Sequence, residues 1–387
     1  MSHTENSKQK IEVADVVRSC QDDIATKLRL NKEQQKAIEA ITRCRTSEAG
    51  GHIAYCNNSS CSYSQQSYNS CRNRHCPKCQ YLKQQQWVNK LTSRLMPGRY
   101  FHIVFTIPRE LHPLFYINQQ ACYDLLFRSA SQALQNAGRN PSFLGADVGA
   151  LCVLHTWGQT LMYHPHIHML VPAGGLSTDG MEWVASPKKF FVPVKALSGM
   201  FRGILVKQLE KLLIKEKLRL PKEFEGAQML KSELYSKRWN VYCKKAFGGI
   251  NSVLQYLGRY THRVAISNNR LTSLSDKQVS FTYKDYRQNS KQKQMTLNQL
   301  EFVRRFIHHV LPSGFFKIRY VGILATVHIH GKREQVIALV GENMWLSNLE
   351  GLTSYEVLRA LIGKDPCICP KCNKGIMVRT RILHQLE

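Results

Sequence analysis

His166 and His168 flank a single apolar residue, Ile167, and further along the chain Tyr256 and Tyr260 stand four apart. On a strand, residues two apart share a face, so the imidazoles would converge while Ile167 turns to the core. On a helix, residues four apart share a face, which places one phenol above the other. Two imidazoles can hold a divalent cation, and a cation can polarise a phosphodiester for attack by a tyrosine hydroxyl. Together they point to an enzyme that cuts one DNA strand and holds it covalently. Either pattern alone is more often ordinary: His-x-His as a polar pair, paired tyrosines as packing. The case rests on their conjunction with charge and cysteines.

The cysteines come in clusters. Cys56, Cys61, Cys71, His75, Cys76 and Cys79 lie close together, with Cys44 and His52 just upstream. Cys76-Pro-Lys-Cys79 is a two-residue knuckle that lets both thiolates reach one zinc ion. The segment is too polar to bury free thiols in a core of its own, so zinc would serve as its core. The expected first site is Cys56, Cys61, Cys76 and Cys79, with Cys44, His52, Cys71 and His75 as a second; spacing leaves the number and grouping of ions open. Near the C-terminus, Cys369 and Cys372 form another knuckle without a visible full ligand set, Cys367 and His384 being candidate additions. Arg72, Arg74 and Lys78 surround the first cluster and suit DNA phosphates.

Composition supports a polyanionic partner. The 387 residues carry 54 Lys and Arg against 27 Asp and Glu, a formal charge of +27. Such an excess self-repels and favours nucleic acid or an anionic membrane. There is no run of eighteen apolar residues, and Met-Ser-His-Thr-Glu-Asn-Ser lacks a signal peptide's apolar core. Nucleic acid is therefore the expected partner and membrane is not. Clustered cysteines without a secretion signal read as metal ligands rather than disulfides, the usage of a reducing cytoplasm. No Gly-x4-Gly-Lys-Ser/Thr loop is present, so strand unwinding would fall to host enzymes.

The elements that must position these residues follow from periodicity. Helical patterning runs over 14–43, a loop-like cysteine segment over 44–80, and a basic helix over 81–95. An α/β pattern follows. Strands are expected at 100–107, 150–157, 166–172 and 190–194, and helices at 114–136 and 198–218. A short helix is expected at 249–260, strands at 263–267, 271–274 and 278–284, a polar loop over 284–293, a helix at 297–310 and a late strand at 315–321. This predicts an N-terminal helical and zinc-binding unit over 1–97, a catalytic domain over 98–345 and a tail over 346–387 with a candidate zinc knuckle.

The segments His155-Thr-Trp-Gly-Gln-Thr-Leu161 and His164-Pro-His-Ile-His168 resemble the HUH motif of single-strand endonucleases. With Tyr256-Leu-Gly-Arg-Tyr-Thr-His-Arg263 and Cys71-Arg-Asn-Arg-His-Cys-Pro-Lys-Cys79, the chain resembles the two-tyrosine rolling-circle transposases of insertion-sequence family ninety-one. The likeness runs from about Leu30 through Tyr320, including Gly50-Gly-His52 and Val104 to Leu111. One departure is the four-residue gap between Cys56 and Cys61, where the family pattern has two. The resemblance implies an α+β fold, a central antiparallel sheet with helices preceded by a small zinc-binding domain. It further implies Mg²⁺ or Mn²⁺ on His166 and His168, with His155 as third ligand in preference to Gln159. Tyr256 and Tyr260 would be the nucleophiles, forming a 5′-phosphotyrosine, and Arg259 and Arg263 beside them would bind DNA. The implied partners are single-stranded DNA of the element, target DNA, and host helicase and replication proteins. A replication initiator or relaxase would use the same chemistry; a zinc-dependent DNA-binding protein without catalysis is the non-enzymatic alternative.

Overall fold

A computed structural model of the chain describes residues 10–79, 81–96, 98–187, 189–222, 227–237, 239–247, 265–328, 331–341 and 348–382. The elements in chain order begin with α1 (Val13–Ser19), α2 (Gln21–Lys27), α3 (Lys32–Arg43), β1 (Gly51–Cys56), β2 (Ser64–Tyr68) and α4 (Tyr81–Thr92). Next come β3 (Tyr100–Thr106), α5 (His112–Ile117), α6 (Gln119–Arg139), β4 (Ala146–Asp147), β5 (Gly149–Trp157), β6 (Tyr163–Pro172), β7 (Gly174–Ser177) and β8 (Trp183–Ala185). Then follow α7 (Val194–Ile214), α8 (Ala227–Ser236), β9 (Asn240–Phe247), β10 (Leu271–Ser275), β11 (Gln278–Asp285), β12 (Lys291–Asn298) and α9 (Gln299–Ile307). The last are β13 (Ile318–Gly322), α10 (Lys332–Val340), α11 (Ser354–Ile362) and β14 (Met377–Ile382).

The central sheet has five strands in the order β13-β5-β6-β3-β9, every pair antiparallel. Strand alternation sorts its side chains cleanly. Ile103, Phe105, Cys152, Leu154, Ile167, Met169 and Val171 enter the main core, against Leu125, Leu126, Ala130 and Ala133 of α6 and Phe201, Leu205 and Leu209 of α7. The opposite face divides in two. At one end Tyr100, Leu151, Val153 and Leu170 pack on Leu91 and Leu95 from α4 and the residues after it. At the other end stand His102, His155, His166 and His168, with Val104 and Thr106 between them.

A second core joins the two ends of the fold. Val13, Val16 and Val17 of α1 and Ala37 and Ile41 of α3 pack with Val279 and Phe281 of β11 and Phe302 and Phe306 of α9. The sheet β10-β11-β12 carries this core on one face. Asn31 caps α3 in a full capping box with Gln34. The third sheet, β14-β1-β2, places the last described strand on β1.

The mixed α+β architecture with antiparallel sheets agrees with the expected fold class. Four local expectations are corrected. The cysteine segment 44–80, expected as loop, carries the β1–β2 hairpin. Residues 190–193 form no strand: Phe191 and Val192 are buried as an irregular segment, and Pro193, without an N–H, becomes the N-cap of α7. The described part of 263–267 is a bend with Ala265 at φ 48°, again no strand. The polar stretch 284–293 is strand at both ends, 284–285 in β11 and 291–293 in β12, with a connecting turn over 286–290 that keeps Asn289 and Ser290 at positive φ. Backbone pairing with β11 from Asp285↔Lys291 to Gln278↔Asn298 holds it, and an edge strand needs only one covered face.

Candidate functional site

Three histidines meet on the sheet face that α4 leaves open. His166 on β6 lies opposite His155 on β5 and Thr106 on β3, and His168 opposite Val153 and Val104. The ligand nitrogens of His155, His166 and His168 all lie within 4.8 Å of one another. Ring centroids stand 4.3 Å apart for His155 and His168 and 4.8 Å for His166 and His168. His155 is 3% exposed and its ring stacks on Trp157 at 4.7 Å. Gln159, the other candidate third ligand, spends its amide elsewhere: Nε2 donates to the Tyr286 hydroxyl and Oε1 accepts from the Lys284 N–H.

The donor set fits a divalent cation. Burial pushes His166 down to about 3 and, with repulsion from His155 and His166, holds His168 well below the usual histidine range. Neutral imidazoles are what a metal requires. Backbone oxygen of His164 lies 2.6 Å from His166 Nδ1, so Nδ1 carries the proton and Nε2 is left for a ligand bond. His168 Nδ1 lies 2.8 Å from His102 Nε2, with the two rings parallel within 2°. For His168 to offer Nε2, its Nδ1–H must donate to His102, and burial keeps His102 neutral, at about 4, able to accept. His102 is a residue the sequence reading missed. Its signal was there: one imidazole in the apolar run Tyr100 to Thr106, on the face opposite Phe101, Ile103 and Phe105.

Beside Trp157 opens a cleft of about 260 Å³, lined by Gln159, Arg270, Tyr283, Lys284 and Tyr286 among others. Tyr256, Tyr260, Arg259 and Arg263 fall outside the described residues. The chain enters that segment from β9, which pairs with β3 beside the histidines, and leaves it at Ala265, in the core that Trp157 and Leu161 join.

The cysteines form two groups of four, differently composed from the expected ones. Cys44, Cys71, Cys76 and Cys79 make one; Cys56 and Cys61 meet Cys369 and Cys372 in the other. The β1–β2 hairpin explains the regrouping. Gly51 pairs with Tyr68, so Cys71 returns to the α3 end beside Cys44, whereas Cys56 and Cys61 sit at the far end of β1. Six residues of strand separate the ends by roughly 16 Å, too far for a shared ion. Sulfur distances of 3.2 Å (Cys44–Cys79), 3.6 Å (Cys71–Cys79) and 3.7 Å (Cys44–Cys76) approach the tetrahedral edge of about 3.8 Å set by Zn–S bonds near 2.3 Å. Cys44, Cys71 and Cys76 hydrogen-bond to the Cys79 sulfur and hold it well below the usual thiol range, favouring the thiolate.

His52 and His75 belong to neither group. His52 faces Ser67 and Arg381 across β1, while buried His75 accepts the Leu311 N–H at 3.1 Å. Of the basic residues nearby, Arg72 is exposed, Arg74 donates to the Phe315 carbonyl and Lys78 pairs with Glu12.

Residues 16–107 match the family model "Transposase zinc-binding domain" and residues 149–333 match "Putative transposase". The chain is 40% identical to "Putative transposase y4qJ" of Sinorhizobium fredii (strain NBRC 101917 / NGR234), over 96% of this chain and 95% of that protein. It is 31% identical to "Transposase for insertion sequence element IS801" of Pseudomonas savastanoi pv. phaseolicola, over 74% of this chain and 70% of that protein. No solved structure matches it significantly. Among the described residues no helix is long and apolar enough to cross a membrane. With its N-terminal zinc-binding domain, one relative matched over nearly its full length and a second over more than two thirds, the chain belongs to the transposases of insertion-sequence family ninety-one.

Proposed function

We propose that this transposase nicks and rejoins single-stranded DNA at the ends of its insertion sequence by tyrosine transesterification. The observation that carries the reading is the His155–His166–His168 cluster on two paired strands of the central sheet, its ligand nitrogens within 4.8 Å of one another. These residues would hold Mg²⁺ or Mn²⁺, which when bound orients the scissile phosphate and offsets the charge it gains. His164 and His102 fix the tautomers of His166 and His168, and Trp157 shields the His155 ring.

The nucleophiles are Tyr256 and Tyr260. A phenolic oxygen bonds to phosphorus as the bond from phosphorus to the 3′-oxygen breaks. The phenol's proton is lost and the departing 3′-oxygen gains one. The product, a 5′-phosphotyrosine beside a free 3′-hydroxyl, conserves the ester, so the reverse attack rejoins DNA without a nucleotide triphosphate. Two tyrosines allow two successive cleavages in one site. The aromatic and cationic cleft beside Trp157 suits unstacked bases next to the phosphate. Unwinding and replication come from host proteins, in the cytoplasm beside the nucleoid.

The test uses labelled single-stranded oligonucleotides from the element ends, with Mn²⁺ or Mg²⁺, denaturing gels and mass spectrometry of any adduct. An adduct on Tyr256 or Tyr260, absent from the Tyr256→Phe/Tyr260→Phe protein, is expected. Binding without an adduct under every metal condition would leave a DNA-binding protein without this chemistry.

A further inference from the structure

The N-terminal module has a half-site at the tip of its β1–β2 hairpin, and the other half comes from the far end of the chain. Cys56 Sγ lies 3.7 Å from Cys372 Sγ, and Cys61 Sγ 3.9 Å from Cys369 Sγ. Both distances fall on the edge length of about 3.8 Å that a tetrahedral ion with Zn–S bonds near 2.3 Å demands. All four are free thiols within 4.8 Å of one another. We propose that Cys56, Cys61, Cys369 and Cys372 bind a second zinc ion, a clasp that fastens the C-terminal segment into the N-terminal module.

The backbone is already arranged for it. Asn373 N–H donates to the Cys369 carbonyl and Cys369 N–H to the Gly375 carbonyl, which curls 369–375 into a knuckle. Gly375 N–H points at Cys372 Sγ, 3.3 Å away, a contact that favours the thiolate. On the other side Cys61 N–H donates to the Asn58 carbonyl in a matching turn. Gly375 is required by space: a Cβ there would lie 2.3 Å from Cys56 Sγ. Outside the sulfurs, β14 pairs with β1 from Cys56↔Met377 to Gly51↔Ile382, and Asn57 N–H donates to the Ile376 carbonyl.

The zinc-binding family match ends at residue 107, so it contains only two of these four ligands. The segment 367–382 is accordingly an integral piece of the zinc module, separated from it in sequence by the whole catalytic sheet. A cross-link of this kind closes a loop of nearly the entire chain, where the loss of unfolded-state freedom is greatest.

Metal content of the purified full chain, measured by plasma mass spectrometry under reducing conditions, tests the clasp. Two zinc ions per chain are expected, and one in C369S/C372S. Gly375→Ala, which keeps every thiol, should likewise drop to one. A wild-type chain holding one zinc, or a C369S/C372S chain holding two, overturns the proposal. Thiol mapping on the wild-type protein guards against a variant that fails to fold. Pulses of N-ethylmaleimide during graded chelation should label Cys56, Cys61, Cys369 and Cys372 as one set. Rapid labelling of Cys369 and Cys372 in the zinc-loaded protein would also overturn it.

Discussion

His102 makes no expected contact with a cation, yet it decides which nitrogen of His168 is available. Partners that orient a ligating histidine are typically worth about 10- to 100-fold in metal affinity. His102→Ala should therefore weaken Mn²⁺ binding by that order, read by titration with electron spin resonance, while His166→Ala should abolish binding and metal-dependent cutting. Unchanged Mn²⁺ affinity in His102→Ala would remove the orienting role. A second histidine carries a pH dependence. His309 is fully enclosed between the Thr156 hydroxyl and the Leu161 carbonyl, and burial pushes it down to about 3. An unfolded histidine titrates near 6.5. Between these values the unfolded chain binds a proton that the folded chain does not, so stability is whole above about 6.5 and falls as pH drops. The loss approaches about 1.4 kcal/mol per pH unit. His309→Gln should lower the slope of unfolding free energy against pH by about one proton between roughly pH 6 and 4; an identical slope in urea titrations refutes this. The ligand candidates were legible because their spacing matches a strand, whereas His102 stands alone in its segment. Cys369 and Cys372 were visible as a knuckle, but nothing local reveals that their partners are Cys56 and Cys61.

The β5–β6 hairpin is the element on which the histidine site depends, and its register is set from outside as well as within. Gly322 on β13 lies opposite Gly149 at the start of β5, with φ +61°, and a Cβ there would meet the Val148 carbonyl oxygen at 2.0 Å. Gly322→Ala combines a left-handed backbone with a clash against main chain, and should cost at least about 1–3 kcal/mol. Thermal unfolding checks it, and a melting temperature within a degree of wild type would show that the edge strand yields freely. Strands covered on both faces were readable: expected strands at 100–107 and 150–157 correspond to β3 and β5, short, nearly continuous apolar runs that meet α6 and α7 on one side and Leu91 and Leu95 on the other. The misreadings share a cause. Residues 190–194 are apolar, with Phe191 and Val192 buried, but Pro193 caps a helix there, and local composition cannot tell a buried irregular segment from a buried strand. Residues 291–298 are mostly polar yet form β12, because the preceding strand β11, joined by a short turn, supplies the hydrogen bonds.

Across the whole molecule the +27 charge is a statement about affinity and its salt dependence. Several cations are already paired on the protein's own surface: Arg319 with Asp124, Arg304 and Arg305 with Glu301, and Lys332 and Arg139 with Asp147. The excess of basic over acidic residues exceeds what such pairs can absorb, so exposed positive charge remains for phosphates. Each phosphate neutralised on a single strand releases counterions, with a slope of about −0.7 in log affinity against log salt. Three to six such contacts would lower affinity by roughly 20- to 300-fold between 50 and 200 mM salt. We expect single-stranded oligonucleotides of unrelated sequence to show this loss in fluorescence anisotropy. Covalent adduct formation at saturating DNA should depend far less on salt, since on the proposed mechanism its barrier would be set at the histidines and the tyrosines rather than by the screened surface. A flat salt response of binding would mean that the excess charge is spent within the molecule. An adduct yield that falls with salt as steeply as affinity, even at saturation, would place the critical cations against the scissile phosphate instead.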